Sequence, residues 1–114
     1  MAGTSVDFLK GTLDLMILKT VSWTPTHGYG IARWIEHCTN DVLEVEEGSL
    51  YPALHKLEER GHIAGEWGIT EFNRRAKFYR ITAAGKKQLR ASHDVWTRFA
   101  GAVTRVLETA PEGA

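Results

Sequence analysis

No part of this chain limits its fold more than the stretch from Glu47 to Gly61. Leu50, Leu54 and Leu57 recur at i, i+4 and i+7 with Ala53 beside them, so one side of a helix here must be buried. Gly61, which enters the left-handed region without steric cost, stops that helix. The opposite side carries Ser49, Pro52, His55 and Lys56, with Tyr51 on the flank. Such a face is small, polar and cationic, and it suits a surface that reaches base edges and phosphates in a DNA major groove. A plain solvated face on an amphipathic helix is the competing reading, and the neighbouring segments decide between them.

Upstream, Pro25 separates two further helical patterns. The first, capped by Ser5 or Asp7, runs to about Val21, with Leu9, Leu13, Met16, Ile17 and Thr20 on one side and Phe8, Leu15 and Leu18 on a second. The second runs from His27 to about Thr39, with Thr26 as its N-cap, and buries Ile31, Trp34, Ile35 and Cys38. Gly28 and Gly30 weaken its first turn by ~1 kcal/mol each relative to alanine, which predicts close approach of a neighbouring helix or of a phosphate. Asn40 to Glu46 then forms a connector in which Val42, Leu43 and Val45 alternate weakly, as in a short strand.

After Gly61 the period changes from helical to alternating. Ile63, Trp67 and Ile69 read as one strand, Lys77 to Ile81 as a second, and Thr70 to Ala76 as a hairpin tip bearing Arg74 and Arg75. Two helices joined by a short link and followed by an arginine-tipped ribbon make a winged helix-turn-helix. Arginine at such a tip reaches along the DNA backbone or into the minor groove.

Thr82 caps a final helix from Ala83 to about Glu108. Leu89, Trp96 and Val103 are spaced by seven, Phe99 and Val106 fill the second position of the same seam, and Val95, Ala100 and Leu107 widen it. A seam this long exceeds what one small domain can cover, so a twofold mate is the economical partner. The ends, Met1 to Thr4 and Ala110 to Ala114, are expected to be frayed.

Composition narrows the function classes. The chain has 114 residues, enough for a single modest core, and its formal net charge is +0, which argues against a generic polyanion binder. The charges are nevertheless segregated: no acid lies between Glu71 and Asp94, where Arg74, Arg75, Lys77, Arg80, Lys86, Lys87 and Arg90 fall, while acids gather at Asp41, Glu44, Glu46, Glu47, Glu58 and Glu59. No aliphatic run approaches a bilayer span and no signal core follows the N-terminus, so the expectation is a cytoplasmic protein without a membrane partner. Cys38 is the single cysteine and reads as a packed core thiol. His27, His37, His55, His62 and His93 make no metal constellation, and no nucleophile elbow or phosphate-binding glycine loop is present, so neither a metal, a cofactor nor an enzyme is expected.

Five blocks in order then resemble the PadR family of bacterial transcriptional regulators: Leu9 to Leu18, His27 to Ile31, Gly48 to Leu54, Leu57 to Ile63, and Lys77 to Gly85. The single helix at the C-terminus is similar to the small subfamily. The resemblance implies a dimeric winged helix-turn-helix protein, usually a repressor released by a small molecule. It assigns Ser49, Tyr51, Pro52, His55 and Lys56 to the recognition helix, Tyr29 to a supporting backbone contact, and Arg74, Arg75, Lys77 and Tyr79 to the wing. The chain departs from the family pattern at Glu46 and Glu47, where a Ser-Pro start is common, and at Asn73-Arg74, where a Gly-rich turn is common.

Trp96 has two readings. It is either a dimer-core aromatic, or, as the resemblance implies, a stacking wall for a planar aromatic effector, with Phe99, Phe8 and Met16 as apolar lining. The expected architecture is mainly α with a small β-hairpin: a winged helix-turn-helix over residues 1–82 and a dimerisation helix with its tail over 83–114. The expected interface is Phe8, Leu9, Leu89, Trp96, Phe99, Val103, Val106 and Leu107. The expected function is a homodimeric repressor on a pseudo-palindromic double-stranded operator. The alternative is a winged-helix protein-interaction module without DNA binding.

Overall fold

The computed structural model describes residues 4–5 and 11–113. In chain order the elements are β1 (Thr4–Ser5), α1 (Thr12–Trp23), β2 (Thr26–His27), α2 (Gly28–Cys38), β3 (Leu43–Glu44), α3 (Glu47–Glu59), β4 (Ile63–Ile69), β5 (Arg75–Ile81) and α4 (Ala83–Glu108). The fold is mainly helical, with a three-stranded antiparallel sheet and a long last helix.

Helices α1, α2 and α3 close around one core. Ile17 and Leu18 of α1, Ile31 of α2, Leu50, Leu54 and Leu57 of α3 and Ile63 of β4 are all fully buried, so the buried stripe of the central helix is the one its leucine spacing demands. Each such side chain is worth roughly 1.5–3 kcal/mol relative to leaving it in water.

The turn between α2 and α3 is built from polar side chains. Thr39 Oγ1 donates to the Ile35 carbonyl (3.0 Å) and accepts from the Leu43 amide (3.2 Å), while Glu36 Oε2 accepts from the Val45 amide (3.1 Å). Asn40 and Asp41 take left-handed φ values of 50° and 61°, a conformation in which short polar side chains are tolerated. At the other end of α3, Gly61 (φ 76°) ends the helix, with its amide donating to the Glu58 carbonyl (3.0 Å) and the His62 amide to the Leu57 carbonyl (2.9 Å). These two bonds are a Schellman cap, and they turn the chain directly into the wing.

Thr82 joins the wing to α4. Its hydroxyl donates to the Gly61 carbonyl and accepts from the Gly85 amide (3.0 Å), and its own amide donates to the His62 carbonyl (3.1 Å). A side chain at Gly85 would collide with that same carbonyl oxygen, so glycine is what lets α4 start against the α3–β4 junction.

Several expectations need correction. Helix α1 begins at Thr12, after Gly11 in the left-handed region (φ 84°). Ser5 therefore belongs to β1, not to a cap, and Asp7 lies outside the described residues. Thr4, expected in a frayed end, pairs with Leu43 in a parallel β1–β3 ladder. Thr26 is not the cap of α2. It lies in β2, which pairs with β5, and His27 takes the cap by accepting the Gly30 amide on Nδ1 (3.1 Å). The expected hairpin of β4 and β5 is present, and β2 extends it to a three-stranded sheet in the order β2-β5-β4. Trp34 and Cys38 are exposed, because the buried stripe of α2 is Gly28, Ile31, Ala32 and Ile35 and does not widen to their flank.

Candidate nucleic-acid interface

Of the residues assigned to α3, Tyr51, Pro52, His55 and Lys56 are exposed and Ser49 is half-buried. His55 Nε2 lies 3.2 Å from Glu59 Oε1 at the helix surface. Pro52 removes the amide that would meet the Gly48 carbonyl one turn earlier, so that carbonyl has no helical donor at its own position. The acids Glu46 and Glu47 stand exposed at the start of the helix, where they favour the helix dipole and oppose an approaching phosphate.

The glycines of α2 make room for a neighbouring helix and for the cap. A Cβ on Gly28 would lie 3.2 Å from Tyr51 Cε1, and one on Gly30 would lie 3.0 Å from Thr26 Cγ2 and 3.3 Å from the His27 ring. Tyr51 therefore packs its ring on the α2 backbone while staying partly exposed. Tyr29 is exposed, its ring parallel to that of His27 with centroids 6.5 Å apart.

The wing tip closes through Asn73, whose φ of 59° supplies the left-handed residue for which a glycine is common. Thr70 Oγ1 accepts from the amides of Phe72 (3.3 Å) and Arg74 (3.2 Å), and the Thr70 amide donates to the Arg74 carbonyl (2.8 Å). Arg74 is exposed at this tip. Arg75 is exposed too, its guanidinium carbon 4.8 Å from the centre of the Trp67 ring. Lys77 points back at α3, donating to Glu58 Oε1 at 2.8 Å, and that hydrogen bond raises its pKa. Tyr79 departs from its assignment to the DNA-facing wing. At 8 % exposure it belongs to the core, and burial pushes its phenol pKa up.

Along α4 the seam divides. Leu89 packs on the core and Trp96 is half-buried, whereas Phe99, Val103, Val106 and Leu107 are exposed, the last two by 77 % and 80 %.

A family model described as the transcriptional regulator PadR-like family matches residues 17–91. The chain belongs to the PadR-like family of transcriptional regulators. It is 30% identical over 84 residues to a transcriptional regulator of Mycobacterium tuberculosis, a match covering 73% of this chain and 74% of that one. A transcriptional regulator from Clostridium thermocellum has a similar solved structure, with a TM-score of 0.78 and 28% identity over 87% of this chain and 96% of that one. A PadR-like regulator from Bacillus cereus superposes with a TM-score of 0.77 and 27% identity, covering 91% of this chain and 99% of that one. The PadR-like family and these neighbours are regulators and not enzymes. Among the described residues, no helix is long and apolar enough to cross a membrane.

In this PadR-like chain the residues given to an effector part company. Trp96 and Phe99 line a cavity of about 460 Å³ between α1 and α4, together with Thr12, Leu15, Ser92 and Val95. Met16 packs against the core instead, and Leu15, one position earlier, faces the cavity. Phe8 and Leu9 lie outside the described residues.

Sequence reasoning missed the outer half of the wing. Trp67, Ile69 and Phe72 are 60 %, 62 % and 72 % exposed. The alternation that placed Trp67 and Ile69 on one face with Ile63 was correct, but only Ile63 reaches the core, because β4 runs on beyond it. The strand length, seven residues from Ile63 to Ile69 against one small core, was the available signal.

Proposed function

We propose that this PadR-like regulator is a sequence-specific DNA-binding repressor that acts as a homodimer in the cytoplasm. The observation that carries this reading is the bond between α3 and the wing. With Lys77 fastened to Glu58, the polar outer face of α3 and the arginine tip are held as one unit. In this reading Ser49, Tyr51, Pro52, His55 and Lys56 enter the major groove, Tyr29 supports them, and Arg74 and Arg75 follow the backbone. Lys77 and Tyr79 set the wing and do not touch phosphate.

Residues 1–82 bind DNA and residues 83–114 pair two copies through Trp96, Phe99, Val103, Val106 and Leu107. A twofold pair places its recognition helices about 34 Å apart, which calls for a pseudo-palindromic operator. A planar aromatic effector stacks on Trp96 and Phe99 in the cavity beside the seam and shifts the angle between the two wings; no cofactor is needed.

The exposed acids Glu46 and Glu47 favour a second reading, in which the same surface holds a protein partner. Titration of operator affinity against salt separates the two. For a DNA repressor, log affinity falls steeply with log salt, and changing Arg74→Ala together with Arg75→Ala flattens the slope. An affinity for DNA that is indifferent to salt would leave the protein-partner reading.

A further inference from the structure

The face of the wing that looks toward α3 changes character along its length. The ladder pairs Ile63 with Ile81, Gly65 with Tyr79, Trp67 with Lys77 and Ile69 with Arg75, so these eight side-chain positions share one face. At the base Ile63 and Tyr79 are buried in the core. Further out Lys77 crosses Gly65 to reach Glu58. A Cβ at Gly65 would overlap the Lys77 side chain and lie 3.0 Å from Glu58 Oε2, so the glycine leaves Lys77 room for this path across the strand. Beyond it, Trp67 and Ile69 stand side by side, more than half exposed, with the Arg75 guanidinium laid on the indole.

Single exposed hydrophobic residues need no explanation, but two adjacent ones under an arginine, on the side of the wing that faces α3, do. We infer that Trp67 and Ile69 form an apolar wedge that packs on the deoxyribose edge of the minor groove beside the α3 site, while Arg75 meets the flanking phosphate on its own account. The inference rests on the DNA-binding reading above.

Charge selects this occupant. Arg74 and Arg75 flank the wedge, Glu58 is neutralised by Lys77, and Glu66 sits on the opposite face, paired with Phe78. Glu71 in the tip loop is the one acid left near the wedge among the described wing residues. Sugar edges between phosphates match an apolar strip between arginines, and minor-groove proteins use such wedges alongside arginine.

The test compares Trp67→Ala, Trp67→Phe and Arg75→Ala with the unaltered protein in operator titrations at several salt concentrations. An apolar contact releases no counterions, so Trp67→Ala is expected to weaken binding about tenfold at every salt concentration with the slope unchanged. Trp67→Phe should restore most of the affinity, and Arg75→Ala should flatten the slope by about one unit. Trp67 is exposed, so thermal melting of the three variants should match the parent. Unchanged affinity in Trp67→Ala overturns the wedge. So does a loss accompanied by the same flattening as Arg75→Ala, which would make Trp67 a support for Arg75 alone. Failure of the unaltered protein to bind any DNA would overturn the DNA reading itself, and it would show before any variant was made.

Discussion

Helix α3 and the last helix spend the same kind of residue in opposite ways. In α3, Leu50, Leu54 and Leu57 are sealed inside the core by α1, α2 and β4. In the outer half of α4, Phe99, Val103, Val106 and Leu107 stand in solvent on a helix of 26 residues, about 39 Å long at 1.5 Å per residue. The difference teaches that apolar spacing reports burial without saying against what. A stripe of a few turns beside other amphipathic helices closes a core. A stripe that outruns every described neighbour is left open, and the proposed homodimer is what closes it.

Leu54→Ala should break the inner half of this contrast most severely. It opens a cavity in a fully packed site at a cost of roughly 2–5 kcal/mol, measured by chemical denaturation. A loss under about 1 kcal/mol would mean the core is not the tight one described. Phe99→Asp combined with Val103→Asp attacks the outer half. Sedimentation should show monomers whose helical content and core packing persist, and a dimer surviving the change would place the interface elsewhere.

Thr82→Ala acts at the joint between the two regions. It removes the cap of α4 and the bond to the Gly61 carbonyl and should cost ~1 kcal/mol in thermal unfolding. The smallest effect concerns Asp14, where burial against the core raises the carboxyl pKa more than the nearby Arg60, Lys56 and His62 lower it. A raised folded-state pKa contributes stability below the unfolded value and loses it as pH rises through the folded one, so the ionised Asp14 is a net cost at neutral pH. Asp14→Asn should therefore raise the melting temperature slightly at pH 7 and leave it unchanged at pH 3. A lower melting temperature at pH 7 would show that the neighbouring cations dominate.

The sequence carried much of this and lost the rest for definite reasons. The α3 leucines, Gly61 and the Thr82 cap were legible because helical period, a left-handed stop and a hydroxyl at a helix start are local signals. The β2 strand at Thr26–His27 was not, since two residues carry no period and their pairing with β5 spans about half the chain. Cys38 and Trp34 shared phase with Ile31 and Ile35 yet are exposed, because phase fixes the face of a helix and not the width of what covers it. At the candidate interface, the residue types of α3 and the wing were readable, but which cations are free was not. Lys77 and Arg75 look alike in the sequence, and only the fold ties one to Glu58 and lays the other on Trp67.

Spacing of the operator tests the central claim most directly. An operator selected from random DNA would be altered by inserting base pairs between its half-sites, and affinity measured for each insertion. Two recognition helices held by paired α4 helices should lose most of their affinity at about five added base pairs, where the half-sites fall on opposite sides of the duplex. Affinity that ignores the insertion would contradict a twofold pair reading successive major grooves.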